Sequence, residues 1–145
     1  WTEDLEKYGE NRSERDFGAI KTPFAAQQYL TLLPLDDKTL ADCQVTVCGY
    51  PVDFQPKSGG TPVMVYATSE SCMPRNQTID YVVDTMPGES GSPLLTLVDG
   101  NTAAGLGIHN YGLATSADGK WGPKNTATRI TPSVKKEIER WINNM

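Results

Sequence analysis

The chain has 145 residues, 38% of them hydrophobic and 21% charged, enough for one domain with a real core or for part of one. Its formal net charge is −5 with acids and bases interspersed, which argues against a nucleic-acid partner. No apolar run approaches membrane-spanning length, which argues against a membrane partner; no signal-peptide pattern stands at Trp1, and the start reads as the middle of a longer precursor.

In chain order, a polar opening holds the sequon Asn11-Arg12-Ser13, and "DFGAIKT" (Asp16–Thr22) follows with a short apolar centre. "FAAQQYL" and "KTLADC" are too short to assign. "CQVTVCGYPV" alternates with period two and stops at Gly-Tyr-Pro, and "TPVMVYATS" follows as a second strand beyond the turn-rich "DFQPKSGG". A second sequon, Asn76-Gln77-Thr78, lies in turn-prone surroundings. "TIDYVVDT" runs up to a glycine loop and "SPLLTLV" leaves it. Asp99-Gly100-Asn101 forms a hairpin turn, and "TAAGLGIHNYG" and "TATRIT" complete the strands. In "TPSVKKEIERWINNM", Thr131 or Ser133 caps a helix whose stripe Val134, Ile138, Trp141 and Ile142 docks on the sheet. Closely spaced strands with turn chemistry between them predict an antiparallel barrel or sandwich.

The three cysteines form no metal-type C-x-x-C pair, which disfavours zinc. A hairpin centred near Lys57 and Ser58 would set Cys43 opposite Cys72, in reach of a disulfide, and leave Cys48 facing Ala67 as a buried thiol. A bond from Cys48 to another polypeptide is the alternative. Cysteines and sequons at Asn11 and Asn76 together lean toward a secreted protein.

The stretch "DTMPGESGSPLL" carries the chemistry. Ser90 stands between Gly88-Glu89 and Gly91-Ser92-Pro93, where the backbone can turn sharply and amide N–H groups can converge on one point. A Gly-x-Ser-x-Gly elbow of the α/β-hydrolase type would need glycine at Ser92 and alternating strands and helices, and the chain has neither.

Taken together, "RDFGAIK", "VCGYPVD", "GESGSP", "GIHNYG" and the closing "NTATRITPSVKKEIERWI" resemble, in order, the chymotrypsin-like serine proteases of the glutamyl endopeptidase (staphylococcal-type) branch. The resemblance implies an all-β, double antiparallel β-barrel fold with a C-terminal α-helix. Residues 1–32 would end a partial first barrel, and residues 33–145 would form a complete second one. It implies that "DFGAIK" is a strand carrying Asp16 as the triad aspartate, with Ser90 as nucleophile and the N–H groups of Gly88 and Ser90 as the oxyanion hole. His109, with Thr85 five residues before the nucleophile, would bind the substrate's glutamate carboxylate, while Asn110, Tyr111 and Gly112 pair with the substrate main chain. No cofactor is implied.

Two departures stand out. Glu89 precedes the nucleophile where the family has Asn, Asp or Gln, and reads as a surface charge or as the holder of a buried amino group. The triad histidine is missing, since the only histidine, His109, follows the serine. The chain therefore reads as the larger fragment of a secreted two-chain endopeptidase, formed by processing of a zymogen and cutting peptides after Glu or Asp. An N-terminal light chain would supply the histidine. The alternatives are a non-catalytic pseudoprotease or regulatory peptide-binding subunit, and a viral chymotrypsin-like processing protease, whose relatives read glutamine or glutamate through the same G-x-H strand.

Overall fold

The structure, a computed structural model, describes residues 15–24, 26, 28–54, 56, 60–111 and 124–144. Among these the elements run β1 (Thr31–Leu32), α1 (Asp37–Ala41), β2 (Val45–Gly49), a 3-10 turn (Val52–Phe54), β3 (Val65–Ser69), β4 (Cys72–Pro74) and β5 (Thr78–Tyr81). There follow β6 (Pro93–Val98), β7 (Thr102–Tyr111), β8 (Asn125–Arg129) and α2 (Pro132–Asn144). The strands form an antiparallel sheet in the order β3-β2-β6-β7-β8-β5-β4, a half-barrel to which β1 adds in parallel beside β7. Thr31 and Leu32, the last residues of the expected first segment, thus join this same sheet.

Alternation decides which side chains fill it. Val45 and Val47 of β2 point inward with Ile79, Tyr81, Leu94, Leu106 and Ala127, and Leu40 of α1 closes one end. Each large side chain so buried contributes about 1.5–3 kcal/mol before the entropy of ordering it. Asp99 takes a positive φ of 56° at the β6–β7 turn, with its carboxylate accepting the N–H groups of Asn101 and Thr102. Helix α1 escaped the sequence reading because it is so short; Asp36 caps it by accepting the Thr39 N–H at 2.9 Å.

Thr131, not Ser133, caps α2, since its hydroxyl accepts the Val134 N–H at 3.2 Å. Val134 is buried and Trp141 stacks on Phe17 with ring centroids 5.5 Å apart, but Ile142 is 67% exposed. It lies about 100° further round the helix than Trp141, beyond the packed seam.

Three expectations are corrected. The stretch 16–22 forms no strand, and Ile20 is 89% exposed: a strand needs a ladder partner, and none of the described residues supplies one. The β2–β3 register is shifted by one, pairing Val47 with Ala67 and Cys48 with Tyr66. The shift sets Val47 and Ala67, both packed on the core, on the same face, whereas the expected register would have faced Ala67 with Cys48. The Cys43–Cys72 disulfide is not formed. All three cysteines are free; Cys43 and Cys72 donate instead to the carbonyls of Thr39 and Leu40 at the end of α1. Burial pushes the Cys72 thiol up to about 11, which keeps it protonated.

One polar cluster fixes the strands that carry the site. Asp80 of β5 is buried and receives Arg75 at 3.2 Å, Lys124 at 2.5 Å and the Thr126 hydroxyl at 3.1 Å, tying β5 to the start of β8. Burial raises its pKa, but the bonds from Lys124, Thr126 and Arg75 outweigh this and hold it below the ordinary aspartate value.

Candidate active site

The loop that carries Ser90 is tied to its neighbours by backbone hydrogen bonds. Gly88 (φ 99°) and Gly91 (φ 91°) both take the left-handed region, bracketing Glu89 and Ser90 in a tight turn. Pro87 O accepts from Val52, Gly91 N–H donates to His109 O at 2.7 Å, and His109 N–H donates to Ser92 O at 2.8 Å. A side chain at Gly88 would come within 2.7 Å of Val52 Cγ2, and one at Gly49 within 2.1 Å of Ser92 Oγ, so both backbones must stay bare for this approach. Ser90 is left exposed at the crest. The N–H groups of Gly88 and Ser90 have no hydrogen-bond partner among the described residues, leaving two donors beside the serine hydroxyl.

Asn110 connects Ser90 to Asp16. The Ser90 hydroxyl donates to Asn110 O at 3.2 Å, and Asn110 Nδ2 donates to the Asp16 carbonyl at 2.8 Å and to Thr128 Oγ1 at 3.0 Å. Asn110 Oδ1 accepts the Thr128 N–H at 2.8 Å. The half-buried Asp16 is therefore anchored to the residue that receives the serine proton, and Phe17 beside it is held by Trp141. Asn110 was expected to meet a substrate main chain; its side chain proves occupied in this bridge. Tyr111 is exposed at the end of β7, while Gly112 and Asn11 lie outside the described residues. Asn76 is exposed in the β4–β5 turn, where a glycan can be accommodated.

Thr85 and His109 share a second cluster. Tyr81 pairs with Asn125 and His109 with Ala127, and Asn125 and Ala127 are two apart on β8, so all four side chains lie on one face of the sheet. Tyr81 OH sits 2.6 Å from His109 Nδ1, and Thr85 Oγ1 donates to Asn125 Oδ1 at 2.8 Å. His109 is only 2% exposed, and burial holds its pKa below the ordinary value against the opposing pull of Glu89. Burial, aided by Glu89, raises that of Tyr81. Both rings are thus neutral. Tyr81 OH and His109 Nδ1 share one hydrogen bond, whose donor is set by which ring nitrogen carries the imidazole proton.

Glu89 is not a surface charge. It is 3% exposed and turns inward, accepting the Met86 N–H at 2.7 Å and closing the nucleophile turn from within. Tyr81 and Asn125 were missed by sequence reasoning, because each matters through a partner distant in sequence. Their one visible signal was a polar residue at an inward position of a strand. His109 and Ser90 are not hydrogen-bonded to one another: Nδ1 is engaged by Tyr81, and the Ser90 hydroxyl donates to Asn110 O. No group of three or more His, Cys, Asp or Glu side chains among the described residues is placed to hold a metal ion.

No protein-family model and no curated protein sequence matches the chain. A solved structure of a Glu endopeptidase in complex with MPD superposes on it with a TM-score of 0.58 at 23% identity, covering 77% of this chain and 46% of that one. The chain spans less than half the length of that structure. The likeness establishes the fold: an antiparallel half-barrel of the chymotrypsin-like type, followed by a C-terminal helix.

Proposed function

We propose that the protein is the nucleophile-bearing part of a secreted serine endopeptidase that cleaves after a residue with a glutamyl-type side chain. The observation that carries this reading is the Gly88–Gly91 turn, which exposes Ser90 beside two N–H groups with no partner among the described residues, while Asn110 holds the Asp16 backbone. In the reaction Ser90 Oγ attacks the peptide carbonyl, and its proton passes to a histidine oriented by Asp16. The N–H groups of Gly88 and Ser90 receive the developing oxyanion, and the same histidine returns the proton to the leaving amine. That histidine comes from a preceding polypeptide, because the single histidine of this sequence is committed to Tyr81. Thr85 and His109 read the side chain before the scissile bond. Glu and Asp are the residues expected from the sequence; both end in the short acyl group that such a pair of polar side chains suits. Secretion accords with the exposed sequon at Asn76.

A fluorophosphonate probe tests the assignment. It should label Ser90 in the chain assembled with its upstream polypeptide and leave Ser90→Ala unlabelled; an unlabelled wild type would end the endopeptidase reading. The second reading, a peptide-binding pseudoprotease, is favoured by one observation, that no described residue is hydrogen-bonded to Ser90 as a base. It predicts peptide binding without labelling.

A further inference from the structure

We infer that Glu89 is the positioning residue of the oxyanion turn: its carboxyl group, folded beneath the loop, holds the Gly88 and Ser90 N–H groups where a developing oxyanion needs them. This rests on the endopeptidase reading above. A peptide group is planar, so the direction of its N–H follows from where its carbonyl is held. Gly88 N–H shares its peptide with Pro87 O, which accepts the Val52 N–H at 2.9 Å. Ser90 N–H shares its peptide with Glu89 O, which accepts the Ser92 N–H at 2.9 Å.

The peptide between these two is held less firmly. Its N–H, that of Glu89, reaches Met86 O only at 3.3 Å. Gly88 and Gly91, at φ 99° and 91°, adopt the turn without strain but leave it as easily, because glycine populates both signs of φ. The Glu89 side chain supplies the fastening. Its Oε2 accepts the Met86 N–H at 2.7 Å, so the two residues are joined once in each direction. A glutamate makes the same reach back over three residues in a helix capping box. Glu89 is 3% exposed, and its Cγ lies beside the end of β2, 3.4 Å from where a Cβ on Gly49 would stand. Rotating the turn would pull this side chain from its packed position and strand the Met86 N–H. No Lys or Arg among the described residues pairs with Glu89. The turn is fastened from within, and Glu89 serves the Met86 N–H rather than a buried amino group.

Glu89→Ala and Glu89→Gln decide the matter, in the chain assembled with its upstream polypeptide. The amide oxygen of glutamine can accept the Met86 N–H, and alanine has no acceptor. For a glutamyl peptide, kcat per fluorophosphonate-titrated Ser90 should fall about ten- to a hundredfold in Glu89→Ala, with KM within about twofold, because the oxyanion donors act in the transition state. The rate of fluorophosphonate labelling, which needs the same donors, should fall in parallel. Glu89→Gln should keep both rates within about threefold of wild type. Unchanged rates in Glu89→Ala overturn the inference. So does a Glu89→Gln that falls as far as Glu89→Ala, the mark of an ion pair rather than a backbone bond. Should Glu89→Ala not fold, Glu89→Gln still decides, since a loss of about tenfold or more there overturns the inference. A wild type whose Ser90 stays unlabelled ends the endopeptidase reading and the inference with it; a labelled wild type with an indifferent Glu89→Ala ends the inference alone.

Discussion

The segment from β5 to β8 and the stretch before β1 differ in how completely they satisfy themselves. Around Ser90 and His109, backbone and side-chain groups bond to one another, apart from the N–H groups of Gly88 and Ser90, which have no partner among the described residues. Residues 15–30 have no regular structure where described. They hold on through the Asp16 carbonyl and the Phe17 ring, while Ile20 (89%), Phe24 (83%) and Tyr29 (90%) face outward. Ser90 and His109 are therefore held within one bonded network, whereas residues 15–30 present apolar side chains that no described residue covers. On the function proposed above, the base would come with the surface that covers them.

Gly88→Ala breaks the bonded side. The new methyl would collide with Val52 at a φ of 99° that only glycine adopts freely, so the turn must shift and misplace an oxyanion donor. Loss of one such donor lowers kcat by roughly 10²–10³-fold. Turnover of the assembled variant should show this, with Ser90 still present in the folded chain.

Asp80→Asn tests whether strand anchoring is separate from chemistry. The aspartate's folded-state pKa lies below its unfolded value, so its contribution is complete above the ordinary aspartate range and is lost as pH falls through the folded pKa. The variant should lose about 2 kcal/mol of stability at neutral pH, and its acid unfolding limb should flatten. Denaturant melts at several pH values give both quantities.

On the uncovered side, Ile20→Ser with Phe24→Ser should leave the isolated chain's stability within about 0.5 kcal/mol, since neither side chain is buried. The same pair should impair assembly with the upstream polypeptide, measured by co-purification.

This contrast also marks what the sequence could and could not disclose. Period-two alternation and turn residues located β2, β5, β6, β7 and β8, and the apolar spacing of Val134, Ile138 and Trp141 located α2. The tight turn at Ser90 was legible because glycines flank it at 88 and 91, and both take a positive φ. The β2–β3 register was missed because alternation leaves a one-residue slip undecided until the core face is known. The five-residue α1 rests on a single cap, and the stretch 16–22 reads as a strand only when its partner is assumed. Least legible was the wiring around His109. Thr85 to Asn125 and Tyr81 to His109 span 40 and 28 residues.

The most direct test of the central claim is kcat/KM for a glutaminyl and a glutamyl peptide, measured on the 145-residue chain alone and after assembly with the polypeptide encoded ahead of it. Alone, Ser90 has no base and should be inactive. Assembly should restore cleavage by several orders of magnitude, on the order of the 10⁴–10⁶-fold that a triad member supplies. Equal cleavage by the chain alone would contradict the account and return His109 to consideration as the base; an assembled protein that binds the peptides but cleaves neither would make it a pseudoprotease.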